Sequence, residues 1–152
     1  MATYIGIDPG KSGAYAFVRE CDGRRDAWAS PWDEDAFIAA MQSVRDDVVY
    51  VMLERVNAFP GQGVTSMFHF GANYGFIQGV LRAYAMPFET VPPTVWKKSY
   101  SLGKDKTASV ETARCLFPGV NLKRTQASRK DDDGMAEALL LAEYGRKRYV
   151  RE

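Results

Sequence analysis

Val48 to Leu53 reads VVYVML, an almost unbroken apolar run that stops at Glu54. A strand open to water on one face alternates apolar and polar residues, whereas a continuous run belongs to a central strand covered on both faces. Helices must then flank a sheet. The stretch TYIGIDPGKSGAYAFV near the start adds a hairpin to it. Tyr4, Ile5, Gly6 and Ile7 have strand character, Pro9, Gly10, Lys11, Ser12 and Gly13 supply turn residues, and Ala14 to Val18 returns. This first strand also ends in an acid, Asp8. A strand-end carboxylate reaches solvent, finds a donor or binds a cation, because burial without a partner costs free energy. Asp also accepts hydrogen bonds from the backbone of its own turn, so the stretch alone leaves both a site and a turn open.

The remaining pattern alternates strands with helices. Asp26 to Pro31 can form a third strand, and Asp33 can cap a helix with Phe37, Ile38, Met41 and Val44 along one stripe. After a loop at Phe59 to Gly63, a helix is expected from about Val64 to Tyr84, with Met67, Phe70, Tyr74, Ile77 and Leu81 at helical spacing. Gly71, Gly75 and Gly79 share one of its faces. Each glycine costs an exposed helix about 1 kcal/mol relative to alanine, so a second backbone is expected to pack there, from this sheet or from another subunit. Pro87 to Val91 reads as a strand, Pro92 to Trp96 as a short helix, Lys104 to Phe117 as a longer one, and 120–131 as loop. A last helix is expected from about Asp132 to Tyr149, with Met135, Ala138, Leu139, Ala142 and Arg146 on one side. The expected fold is one α/β domain over 1–152 with a mixed sheet, and such sheets place sites at strand ends.

Cys21 and Cys115 have no CxxC partner, and no targeting pattern opens the sequence, so a reducing, cytoplasmic location is expected. No apolar run approaches the roughly 20 residues that span a bilayer, so no membrane association is expected. The net charge of +1 conceals an asymmetry. From 97 to 130 stand nine basic residues, Lys97, Lys98, Lys104, Lys106, Arg114, Lys123, Arg124, Arg129 and Lys130, against Asp105 and Glu111, for a local net of +7. The rest of the chain carries −6. A basic tract beside an acidic body suits an enzyme that binds a polyanion while working with carboxylates.

Asp8 and Glu54 end two central strands, and neighbouring strands lie only about 4.8 Å apart. Asp133 and Glu137 stand four apart on the last helix, about 40° around its axis and thus on one face. Like charges at this spacing repel, which a divalent cation shared with the strand-end acids would relieve. Hard oxygen donors with no His or Cys cluster favour Mg²⁺ or Mn²⁺ over zinc. Two such ions roughly 3.5 to 4 Å apart serve phosphodiester hydrolysis, activating a water and neutralising the leaving oxygen. Asp131 and Asp132 can alternatively serve as a helix cap near the positive dipole end.

The segments IGIDPGKSGAYAFV, VYVMLERVNAFPGQGVTSMFHFGANYGFIQGVL, VPPTVWKKSYSLGKDKTASVETARCLFP and DDDGMAEALLLAEYGRK, in this order, resemble a RuvC-type Holliday junction resolvase, closer to the short phage-borne members than to the cellular ones. The resemblance runs from residue 3 to about 148. It implies a ribonuclease H-like fold, a five-stranded mixed sheet flanked by helices, a homodimer, dependence on Mg²⁺ with Mn²⁺ as substitute, and symmetrical nicking of four-way DNA. For a phage-borne protein the location would be the host cytoplasm. The metal ligands would be Asp8, Glu54, Asp133 and Glu137, with Asp132 as a rival. The cellular family has two acids three apart in the last motif, whereas position 134, three before Glu137, is glycine here.

Lys97, Lys98 and Lys106 occupy the stretch in which the family carries basic residues that contact DNA, and Lys106 is the expected lysine beside the scissile phosphate. Lys104, Lys123, Arg124, Arg129 and Lys130 are further candidates for phosphate contact, which positions DNA and makes binding salt dependent. Phe59 and Phe68 are candidate wedges against unstacked bases, and core packing is the expected fate of Phe70. His69, the single histidine, is expected to be a helix residue and no general base. Three alternatives share parts of this pattern. A broader flap or fork nuclease would carry the same acids, a junction-binding protein that does not cut would fit the shifted acid spacing, and a phosphotransfer ATPase would share the Asp-x-Gly turn. The last needs a second domain for its cleft, so no nucleotide cofactor is expected.

Overall fold

The computed structural model describes residues 1–10, 12–58 and 60–149. Five strands form one sheet: β1 (Ala2–Asp8), β2 (Ala14–Cys21), β3 (Arg24–Pro31), β4 (Val48–Glu54) and β5 (Phe88–Val91), in the order β3-β2-β1-β4-β5. β1 to β3 form an antiparallel meander, and β4 and β5 join β1 in parallel. The helices are α1 (Glu34–Val44), α2 (Val64–Ala83), α3 (Pro93–Ser99), α4 (Lys106–Leu116) and α5 (Asp133–Tyr149). This is the expected mixed five-stranded α/β architecture. No helix among the described residues is long and apolar enough to cross a membrane.

Side chains alternate across the sheet. Ile5, Ile7, Tyr15, Phe17, Val51 and Leu53 face α1 and α2, packing with Phe37, Met41, Ile77 and Leu81. Ala14, Ala16, Val18 and Met52 face the other way, against Trp96, Ala113 and the apolar residues of α5. Small residues on that face let α5 come close. A Cβ at Gly6 would collide with the backbone of Ala138 and Ala142, so only glycine permits this approach. Close backbone packing therefore occurs at Gly6. Sequence reasoning looked for it at Gly71, Gly75 and Gly79, but a Cβ at any of these three would meet nothing within 4 Å, which removes this chain's own sheet as their partner.

Element ends shift for local reasons. β3 begins at Arg24, ahead of the expected Asp26, because Asp22 and Gly23 take positive φ angles of 51° and 76° and make a tight hairpin turn. Pro87 lacks an N–H, so β5 starts at Phe88, although the Pro87 carbonyl still accepts from Val51 N at 2.9 Å. Asp105 accepts from Thr107 N and starts α4 at Lys106, two residues beyond the expected Lys104. Asp132 accepts from Met135 N at 2.9 Å, so α5 starts at Asp133. Helix α5 is buried on more sides than the expected single stripe, with Leu140 and Leu141 also enclosed, because α4 covers its outer side. At its far end Glu143 is fully buried and accepts from both Arg25 at 2.9 Å and Arg146 at 2.6 Å.

Candidate active site

The register of β1 and β4 pairs Gly6 with Met52 and Ile7 with Leu53, so Asp8 and Glu54 come next to each other at the strand ends. Both share the parity of Gly6 and Met52, which places them on the α5 side of the sheet. The first turns of α5 bring Asp133 and Glu137 to the same place. Asp8, Asp133 and Glu137 line one cavity of about 370 Å³ with Gly10, Gly13, Gly134, Lys106, Arg124 and Asp132. A larger hollow of about 630 Å³ between β3 and α1, lined by Tyr15, Phe17 and Trp28, shares no residue with it and brings no carboxylates together beyond Asp26.

The acids oppose one another electrostatically. Burial pushes the Asp8 carboxyl from 3.8 up to about 8, and Glu54, Glu137 and Asp133 push in the same direction while Lys97 pulls back. Glu54 rises from 4.5 to about 7, chiefly through burial and then through Glu137, offset in part by Lys97 and by the indole of Trp96. Trp96 Nε1 donates to Glu54 Oε2 at 3.2 Å. This fully buried tryptophan orients the carboxylate, a role that sequence reasoning missed; its only signal was an aromatic residue on a short helix beside a basic pair.

The neighbouring aspartates do different work. Asp131 holds Arg114 through both oxygens, at 3.0 and 2.8 Å, and lies 3.4 Å from Lys123 Nζ. Asp132 caps α5 and also binds Arg124, whose Nη2 donates to the carbonyls of Ser12 and Gly13 at 2.7 and 3.1 Å. Arg124, expected at DNA, thus clamps the β1–β2 turn to the start of α5. Asp133, part-exposed at the cavity, meets Lys106 at 3.4 Å, and Glu137 meets Lys97 at 3.3 Å. Position 134 has no room for an acid: a Cβ on Gly134 would lie 2.8 Å from Ser12 O and 3.1 Å from Asp132 Oδ2.

Among the described residues no three His, Cys, Asp or Glu side chains already form a ready metal cage. The donor chemistry nevertheless fits a hard divalent cation. Asp8 and Glu54 are all-oxygen donors held partly neutral by burial and mutual repulsion, and a cation would reverse both effects. Lysine ammonium groups meet Asp133 and Glu137, and the Lys106–Asp133 pair is exposed enough to open.

Of the other basic candidates, Lys98, Lys104, Arg129 and Lys130 are exposed, while Lys123 is drawn to Asp131 and to the Arg129 carbonyl. Phe68 is 73% exposed on α2. Phe59 lies outside the described residues. Phe70 is half-buried, outside the core proper, with its ring edge 3.3 Å from where a Cβ on Gly10 would stand.

No protein-family model matches the sequence, and no curated protein matches it. Solved structures match its fold. RuvC of T. thermophilus in complex with Holliday junction substrate superposes with a TM-score of 0.63 at 13% identity, covering 100% of this chain and 99% of that one. Thermus thermophilus RuvC in a second structure gives 0.62 at 16% identity, over 97% and 96% of the two chains. The chain has the fold of these proteins from end to end.

Proposed function

We propose that this protein is a structure-selective endonuclease that resolves four-way DNA junctions by symmetrical, metal-dependent nicking. The observation that carries the proposal is the gathering of Asp8 and Glu54 at adjacent strand ends with Asp133 and Glu137 on the first turns of α5, the strand-end pair half-buried and the acids repelling one another. The fold shared with a RuvC solved on a Holliday junction supports the choice of substrate.

Asp8, Glu54, Asp133 and Glu137 would hold Mg²⁺ or Mn²⁺, which when bound supplies Lewis acidity for attack by water on the phosphodiester and for departure of the 3′ oxygen. Lys106, released from Asp133, would contact the phosphate at the cavity, while Lys97 would pair with Glu137 and favour the charged form of Glu54. Lys98, Lys104, Arg129 and Lys130 would hold the flanking strands, and Phe68 would lie against unstacked bases. A four-way junction is two-fold symmetric, so a homodimer would present one acid cluster to each of two opposed strands. The open face of α2 at Gly71, Gly75 and Gly79 is the proposed dimer seam.

End-labelled four-way, flap and linear duplex DNA, incubated with the protein in Mg²⁺ or in EDTA, tests the reading. Paired nicks in the four-way substrate only with Mg²⁺ are expected. Equal cutting of flaps would broaden the activity to branched DNA, and junction binding without cutting would replace it with an architectural role.

A further inference from the structure

A second cavity, of about 670 Å³, adjoins the acid cluster, and Gly10 lines both. This size falls within the roughly 300 to 1,000 Å³ of small-molecule sites. Trp32 and Phe70 give it aromatic surface. Trp32 is held from behind, with ring centroids 4.8 Å from Phe37 and 6.2 Å from Tyr15, and Phe70 packs against the turn that follows Asp8. The polar lining comes from Thr65, Ser66, His69 and Asn73, three and four residues apart along one face of α2. Among the described residues, none of these four side chains makes a hydrogen bond. The face lies away from Gly71 and Gly75, so a second copy docked there would leave the cavity open.

Among the described residues no Lys, Arg, Asp or Glu lines this space, and its described lining therefore favours an uncharged occupant over a phosphate or a charged peptide. Fixed aromatic surface with free donors and acceptors beside it suits a flat heterocycle that stacks and hydrogen-bonds along its edge. We propose that this cavity receives one unstacked nucleobase of the bound DNA, next to the cleaved phosphate, and that His69 and Asn73 bond to its edge. The inference rests on the nuclease reading above and gives that site a local sequence or base dependence which phosphate contacts cannot supply.

The test is an abasic scan. Each nucleotide within three of the cut on either side is replaced by an abasic analogue, and cleavage is timed with the native protein and with the His69→Ala, Asn73→Ala double variant. At one position base removal should slow native cleavage about tenfold, within the range that stacking of one base contributes. The double variant should cut the intact junction more slowly than the native protein, should lose less than the native protein does when the base is removed, and should keep its thermal midpoint. Such non-additivity marks two changes to one contact. Normal cutting with no sensitive position, or independent losses in the variant and the abasic substrate, would overturn the proposal and leave the nuclease reading standing. Failure of the native protein to cut any branched DNA would overturn both.

Discussion

Asp8 concentrates the conflict between stability and chemistry in this chain. Its carboxyl ionises near 4 in the unfolded chain and at about 8 in the folded protein, so between these values the native state keeps a proton that the unfolded state has lost. Without a divalent cation, stability therefore falls as pH rises through this window, and Glu54, raised to about 7, adds to the same slope. Asp8→Asn should flatten the slope and stabilise the metal-free protein by about 1–3 kcal/mol at pH 8, read by urea melts at pH 5 and pH 8. The same change should abolish cutting and spare junction binding. Because protons and cations compete for these oxygens, cleavage should rise from pH 6 to pH 8, and the rise should move to lower pH as Mg²⁺ is increased. The two strand-end acids were legible in the sequence because charge at the end of an apolar run is conspicuous. The role of Gly134 was not, since the lack of room there comes chiefly from the Ser12 carbonyl, more than a hundred residues away.

The start of α5 is the element on which the site depends. Asp132 caps it and, through Arg124, ties it to the turn after β1, whereas Asp133 is turned toward the cavity and Lys106. Asp132→Ala should cost about 1–2 kcal/mol of stability as a lost cap and slow cleavage about tenfold, while Asp133→Ala should stop cleavage with little change in stability. Melting and cleavage of the two variants side by side would separate cap from ligand. Helix existence was legible from periodicity and the cap at Asp33 from residue type, whereas Asp105, expected inside its helix, caps it instead. The division of labour among Asp131, Asp132 and Asp133 was not, because it is decided by Arg114 and Arg124, which approach through tertiary structure.

At the scale of the whole molecule, α2 carries three glycines on an open face, where each weakens the helix and an added Cβ would meet nothing within 4 Å among the described residues. A partner copy would make sense of that cost. Gly75→Glu should convert a dimer into a monomer in light scattering, leave the helical signal intact, and turn paired junction cuts into uncoupled single nicks. In a protein that is monomeric from the start, the same substitution would instead raise stability by about 0.5–1 kcal/mol. Periodicity made the glycine face legible as a docking surface but could not say against what, because the same pattern serves a sheet and a subunit.

Glu143 lies ten residues beyond Asp133, about 15 Å along α5, and touches none of the acids. Buried between Arg25 of β3 and Arg146, it fixes how far the helix is turned about its own axis, and the clamp at Asp132 fixes its other end. The helix is thus indexed like a key in a lock, and the angular setting that aims Asp133 and Glu137 is held from the opposite edge of the sheet. A nuclease built this way can be detuned at a distance: loosening the far end would rotate its ligands off target while leaving every residue of the catalytic cavity in the sequence unchanged.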